Sequence, residues 1–510
     1  MNRKFARIAA VLWLLALGNP ALAQDSGDDD LILIADVRID NAYRAIQQAR
    51  RIAELDDAGP TLNAVVVYDD TPGVEAREAM DRALPLFGLT VLVKDNIETS
   101  EWPTTAGSLA LAGNATGRDA PLVANLRRAG GVVLGKTNLS EWANIRGSSS
   151  SSGWSAVGGQ TRNPHALDRS PCGSSSGSGA AVAAGLAWAA IGTETDGSIT
   201  CPASLNGIVG FKPSVGLVSR THVVPISASQ DTAGPMAHSV ADAALLLNAI
   251  AGTDPLDPAT AVGGAYIADF TAGLATSSLS GVRIGVLRRQ AGGDPRLIAL
   301  FDQALADMRA AGAELVEIDF TPDPAMGEAE YAVLLYELRQ GLDAYLQGSP
   351  ADIPVRSLEQ VIAFNRAHAA EELRWFGQDI FEAALAATDA DAYRAARATS
   401  LRLAGEEGID RLLAEYGVSL LVAPTEGPAW PIDLMAGDRF VSPPVGAGSL
   451  AAIAGYPHLT VPMGAVEGLP VGLSFIGGQW QDHSVLQAGA AFERVRSSAV
   501  PQPGFRAWGQ

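Results

Sequence analysis

Two clusters of small residues decide how this chain is read. The first is Pro171-Cys-Gly-Ser-Ser-Ser-Gly-Ser-Gly-Ala-Ala-Val-Ala-Ala-Gly185, and the second is Gly192-Thr-Glu-Thr-Asp-Gly-Ser-Ile-Thr-Cys-Pro202. Glycine and serine crowd together where backbone must approach a ligand closely and where N–H groups must converge on one point. A flexible linker of this composition would not carry a helix-forming run, Ala180 to Ile191, between its halves. The two clusters therefore read as a serine-based active site, the first of them opening a buried helix over Ala180 to Ala190.

Working outward, strands and helices alternate. Thr61 to Val67 predicts a strand. Leu89-Thr-Val-Leu-Val93 predicts a buried one that delivers Lys94 and Asp95. Helices are predicted over Ala42 to Leu55, Ala76 to Leu84, Pro121 to Ala129, Asp242 to Ala251 and Pro295 to Ala311. Further strands are predicted at Val132 to Leu134, Val282 to Leu287, Glu314 to Ile318 and Leu420 to Ala423. Leu459 to Val461 reads as a strand continuing into Gly472 to Ile476. The alternation predicts an α/β protein, a single large domain with a central mixed β-sheet covered by helices. A charged, aromatic segment from about 322 to 414 reads as a helical insertion in the C-terminal half.

Composition narrows the classes of function. The chain has 510 residues, 47% of them hydrophobic and only 18% charged, with 54 glycines, which fits a large folded core rather than disorder. A net charge of −20 disfavours nucleic acid and anionic membranes as partners. Residues 1–23 combine a basic start, the apolar run Ile8 to Leu17 and Ala21-Leu-Ala23, the pattern of a secretory signal peptide. The mature chain would then be 24–510, exported to a periplasm or the medium and without a membrane anchor. Cys172 and Cys201 are the only cysteines. Two small buried thiols are the expectation, with a disulfide conceivable if the two clusters meet in an oxidising compartment.

Two motifs compete with the serine clusters and fail on context. Gly130-Gly-Val-Val-Leu-Gly-Lys-Thr137 has the P-loop spacing, but a helix precedes it and a strand core lies inside it, where a phosphate loop is required. Gly173-Ser-Ser-Ser-Gly177 has the spacing of a nucleophile elbow at Ser175. That site needs a preceding strand and a downstream acid and histidine. Asn163 to Pro171 is no strand, and His238, His368, His458 and His483 have no convincing setting. A Ser-His-Asp esterase using Ser175 remains the alternative from a different class.

The remaining reading joins Lys94, Ser174 and Ser198, and here the chain resembles the amidase signature family. The resemblance rests on the two clusters and on Val91-Leu-Val-Lys-Asp-Asn-Ile97, Pro103-Thr-Thr-Ala-Gly107 and Gly135-Lys-Thr-Asn-Leu-Ser-Glu-Trp142. It extends through Gly207-Ile-Val-Gly-Phe-Lys-Pro213, Asp231-Thr-Ala-Gly-Pro-Met236, Ala454-Gly-Tyr-Pro457 and Leu469-Pro-Val-Gly-Leu473, nearly the whole mature chain. It departs from the usual Gly-Gly-Ser-Ile-Arg at Asp196-Gly-Ser-Ile-Thr200. That departure, Cys172, Leu334-Leu-Tyr-Glu-Leu-Arg-Gln-Gly341 and Ala363-Phe-Asn-Arg-Ala-His368 look like the peptide amidase subgroup, which removes ammonia from the C-terminal carboxamide of peptides.

What the resemblance implies is specific. Ser198 would be the nucleophile, Lys94 the general base and acid, and Ser174 the relay between them, following a cis peptide from Gly173. Backbone N–H groups of Thr195, Asp196, Gly197 and Ser198 would form an oxyanion hole, with the hydroxyls of Ser175 and Thr193 as supporting donors. Asp231 and Pro235 read as scaffold. The chemistry is consistent: a serine hydroxyl needs a neighbouring base, and lysine serves only when burial keeps it neutral. Without the serines, Lys94 would read as the partner of Asp95. No metal or cofactor is implied, and the substrate would be a small-molecule or short peptide amide. Small acyl or aryl amides are the alternative within the family.

Overall fold

An eleven-stranded mixed sheet crosses the molecule, and the two serine clusters meet near its centre. The computed structural model describes residues 41–80, 84–438 and 444–510, so the segment read as a signal peptide lies outside the described residues. In chain order the strands are β1 (Val65–Tyr68), β2 (Thr90–Lys94), β3 (Val132–Thr137), β4 (Trp154–Ser155), β5 (Gly159–Gln160), β6 (Ala189–Glu194) and β7 (Val209–Lys212). They continue as β8 (Thr232–Ala237), β9 (Arg283–Val286), β10 (Glu314–Glu317), β11 (Leu420–Pro424), β12 (His458–Val466) and β13 (Leu469–Ile476). The large sheet is ordered β1-β3-β2-β6-β8-β7-β12-β13-β11-β9-β10, while β4 and β5 form a separate small hairpin. The runs β3-β2-β6 and β11-β9-β10 are parallel, and the ladders between β6 and β11 are antiparallel.

Strand β2 shows why the sheet is covered on both faces. All five residues are buried, and alternate side chains point to opposite sides. Val91 and Val93 enter a core shared with Leu122, Leu126, Leu246 and Leu247, whereas Leu92 packs against Ala180, Ala181 and Val182 on the other face. Lys94 closes the strand between these two cores.

Two expectations of secondary structure are corrected. The helix predicted over Ala180 to Ala190 is Ser176–Ala183, and the chain then turns and enters β6 at Ala189. Gly185 sits at φ +69 just past the helix and permits that exit. Ala189, Ala190 and Ile191 then pair with both β2 and β8, so ladder bonds and burial override the helical propensity of alanine. The strand predicted to continue from Val461 to Ile476 is instead the antiparallel pair β12 and β13, reversed at Glu467–Gly468. The P-loop spacing falls on β3, and its Lys136 forms a buried ion pair with Asp95 at 2.8 Å. It is structural.

Between β10 and β11 the chain is helical: Pro324–Gly348, Leu358–Ala367, Asp379–Ala386, Ala390–Leu401 and the stretch up to Tyr416. Leu338, Leu342, Leu346, Leu358 and Phe381 form a core with Trp142 and Leu111 of the main body, which fixes these helices over the site. Buried Arg146 strengthens the join. Its guanidinium pairs with Glu141 and stacks 4.0 Å from the Phe376 ring. Cys172 and Cys201 form a disulfide with Cα atoms 5.9 Å apart, correcting the expectation of two thiols. The clusters do meet, and the bridge ties the segment before Ser174 to the helix after Ser198.

Candidate active site

Lys94 ends β2 with no exposed surface, its ammonium donating to Ser174 Oγ at 2.8 Å, Thr193 Oγ1 at 2.9 Å and the Thr193 carbonyl at 3.3 Å. Asn96 Nδ2 also donates to Thr193 Oγ1, at 2.9 Å. Asp95 is committed to Lys136, so the Lys94–Asp95 pairing is not formed. Burial pulls the lysine down to about 7, against the smaller opposing charges of Asp231 and Glu194. A lysine so placed is neutral in a large fraction of molecules at neutral pH.

Ser174 is fully buried and its peptide bond from Gly173 is cis. Ser198 differs: it lines a cavity of about 390 Å³, together with Thr195, Asp196, Gly197, Asn144, Leu334, Glu426, Ser449 and His458. The disulfide forms part of the same wall. Of Lys94, Ser174 and Ser198, only Ser198 opens onto this space. The Ser175 N–H donates to the Ser198 carbonyl at 3.1 Å, holding the two clusters together.

The turn Thr195–Ser198 is built to leave its donors free. Gly197 has φ +77, and among the described residues no backbone bond consumes the N–H groups of these four positions. Glu194 fixes the turn from behind. Its carboxylate accepts from the N–H groups of Ile199 at 2.8 Å and Thr200 at 3.0 Å, where the helix Thr200–Leu205 begins. Asp231 fixes it from the side, accepting from Thr195 Oγ1 at 2.6 Å and from the N–H groups of Ile226 and Ser227. The sequence reading missed Glu194; its signal was an acidic residue leading into the first turn of a helix. Asp231 reads from sequence only as scaffold, and here it braces the turn that carries Ser198.

Ser175 and Thr193 act on each other. The Ser175 hydroxyl donates to the Thr193 carbonyl at 3.1 Å and accepts from its N–H at 3.2 Å. Fully buried and doubly engaged, Ser175 is no nucleophile. His458 shares the cavity wall, yet its Nε2 contacts Ser474 Oγ at 2.7 Å, and burial drives its pKa down to about 3. Among the described residues no histidine bonds to Ser175, so the esterase constellation is not assembled. Nor is any cluster of His, Cys, Asp or Glu among them arranged to hold a metal ion.

Among the described residues the cavity wall carries carboxyl groups and no lysine or arginine. Burial pushes Glu426 up to about 7, opposed by a hydrogen bond from the Gly427 N–H. Burial also raises Asp196.

A buried lysine bonded to a serine, behind a second serine in a donor-rich turn, suits attack on an amide carbonyl, and comparison with known proteins agrees. The Amidase family model matches residues 49–486, and the chain belongs to that family, the amidase signature hydrolases acting on amide C–N bonds. The native peptide amidase of Stenotrophomonas maltophilia superposes with TM-score 0.87 at 48% identity, covering 95% of this chain and 99% of that one. An amidase family protein of Bacillus anthracis superposes with TM-score 0.82 at 32% identity, covering 98% of this chain and 95% of that one. A probable amidase of Arabidopsis thaliana is 38% identical over 86% of this chain and 83% of its own length.

Proposed function

We propose that this protein is a Ser-Ser-Lys peptide amidase that releases ammonia from the C-terminal carboxamide of peptides. One observation carries the triad: Ser198 faces the cavity while Ser174 and Lys94 lie hydrogen-bonded in the interior. Ser198 Oγ attacks the carboxamide carbon, passing its proton to Ser174 Oγ as the Ser174 proton moves to neutral Lys94. The oxyanion takes N–H bonds from the Thr195–Ser198 turn. Collapse breaks the C–N bond, and Lys94 returns the proton through Ser174 so that nitrogen leaves as ammonia. A water then repeats the sequence on the acyl-serine and liberates the carboxylic acid.

The cavity wall supports a peptide amide over a free amino acid amide such as glutamine. Among the described residues the wall holds Asp196 and Glu426 and no lysine or arginine, a lining that disfavours an α-carboxylate. A second cavity of about 750 Å³ borders the first at Val445. Export, inferred from residues 1–23, belongs to the same proposal. The test is ammonia release from a short peptide amide by the chain 24–510, with Ser198→Ala as control. Ammonia from the unsubstituted enzyme alone, with internal bonds uncut, is the expected result. Release only from acyl or aryl amides would move the substrate while keeping the mechanism.

A further inference from the structure

Outside Gly173–Ser174 the described peptide bonds are trans, and a trans peptide points its C=O and its N–H in opposite directions. Each N–H of the Thr195–Ser198 turn is therefore aimed by whatever holds the carbonyl of the preceding residue. The Gly197 carbonyl accepts from the Cys201 N–H at 2.8 Å, a local bond that fixes the direction of the Ser198 N–H. The Thr195 carbonyl, which governs the Asp196 N–H, takes its bond from farther along the chain. Gln230 Nε2 donates to it at 3.3 Å.

Gln230 has no exposed surface, and its amide also donates to Glu330 Oε1 at 2.8 Å, so both of its N–H groups are engaged. A carboxyl oxygen and a carbonyl as neighbours select this orientation, because the flipped amide would set its own oxygen against both. Its Oε1 is left without a partner among the described residues while the NH₂ group faces the turn. The backbone that carries Gln230 is held on both sides. Asp231 accepts from the N–H groups of Ile226 and Ser227 and from Thr195 Oγ1. Glu337 accepts from the Ser229 N–H at 3.0 Å and the Ser229 hydroxyl at 2.9 Å. Glu330, Leu334 and Glu337 share one face of the helix Pro324–Gly348, and Leu334 lines the cavity.

We propose that Gln230 is a positioning residue for amide hydrolysis: it draws the Thr195 carbonyl back so that the Asp196 N–H points at the oxyanion formed on Ser198, and Glu330 holds the glutamine in that pose. Neither Gln230 nor Glu330 lines the cavity. The helical insertion thus contributes to the rate through side chains behind the turn, as well as to the shape of the site through Leu334. Glu330 acts only through Gln230, so the losses on removing the two are not additive.

The inference rests on the Ser198 reading of the site, and its experiment has one arm that needs no amide. Gln230→Met keeps the length of the side chain without its donors. Glu330→Gln keeps an acceptor for Gln230, and Glu330→Leu removes it. On a peptide amide, Gln230→Met should lower kcat about tenfold to a hundredfold and leave KM within about twofold, since oxyanion contacts strengthen in the transition state. Glu330→Gln should stay within about threefold of the parent, and Glu330→Leu should be slower than Glu330→Gln. The double variant Gln230→Met with Glu330→Leu should be no slower than Gln230→Met alone. An unaltered kcat in Gln230→Met overturns the proposal, as do losses that multiply in the double variant. In the second arm a fluorophosphonate labels Ser198: the Oγ–P bond forms, the P–F bond breaks, fluoride leaves, and the hydroxyl proton passes through Ser174 to Lys94. Its phosphoryl oxygen takes the same N–H bonds, so labelling read by mass spectrometry should slow about tenfold or more in Gln230→Met. Equal labelling rates would overturn the inference whatever amide proves to be the substrate. A parent that does not label at Ser198 would overturn the reading of the site, and this inference with it. Should circular dichroism show Gln230→Met unfolded, Glu330→Leu against Glu330→Gln carries both arms, and equal rates for that pair overturn the proposal.

Discussion

Lys94→Met should kill activity and yet stabilise the fold, by an amount that depends on pH in a calculable way. The side chain is wholly buried, and its pKa falls from 10.5 to about 7 on folding. Each tenfold in proton affinity is worth about 1.4 kcal/mol, so a charged Lys94 costs the folded state about 5 kcal/mol as an upper bound. The sign follows from linkage. Between the two pKa values the unfolded chain binds a proton that the folded chain does not, so stability rises with pH across that window. Below it both states are protonated and the full cost is felt. Above it both are neutral and the cost vanishes. Methionine fills a similar volume without the charge but forfeits the hydrogen bonds to Ser174 and Thr193, about 1 kcal/mol each. That loss is nearly independent of pH. The stability of the variant relative to the parent should therefore shrink by about 2–3 kcal/mol between about pH 6 and about pH 9. Paired urea denaturation curves at the two pH values measure this directly, with circular dichroism confirming that both proteins are folded at the start. A difference that stays constant with pH would refute the claim that Lys94 is the buried, depressed lysine on which the mechanism depends.

Under the proposed mechanism the same lysine sets the acid limb: kcat/KM should fall about tenfold per pH unit below about 7 as Lys94 takes up its proton, read from initial rates of ammonia release. Replacing Cys172 and Cys201 together by alanine removes a bridge of sequence separation 29, and chain entropy predicts a loss of about 3–4 kcal/mol in denaturant midpoint measurements. Because that bridge lines the cavity, the double variant should also lose activity before it loses its far-ultraviolet spectrum. Gly197→Ala meets no atom within 4 Å but forces alanine to φ +77, at about 1–2 kcal/mol. Relief of that strain turns the N–H groups away, so kcat should fall with KM almost unchanged; an unaltered kcat would remove the turn from the mechanism.

Much of this was legible in the sequence because it rests on local rules. The all-apolar run before Lys94 identifies a central strand, and small residues around Ser174 and Ser198 identify close backbone approach. What escaped was long-range. Ala189 to Ile191 looks helical until β2 and β8 flank it, and no residue within the segment announces those neighbours. The partner of Asp95 proved to be Lys136, which adjacency in sequence could not show against the competing Lys94. Glu330 lies far along the chain from Gln230, and only the docking of the insertion brings the two side chains together, at 2.8 Å. The cysteines followed the same pattern, since their pairing depended on whether two clusters met in space.

Strand β2 interlocks with a different hydrophobic mass on each face, Val91 and Val93 on one side and Leu92 on the other. A slip of a single residue would exchange those faces and turn the amine of Lys94 away from Ser174. The aim of the proposed base is thus guarded by packing within the sheet. Loops at the mouth of the cavity are free to diverge and redefine which amides enter, while the proposed Lys94–Ser174 relay stays anchored in the packed sheet, where any drift must also disturb the core.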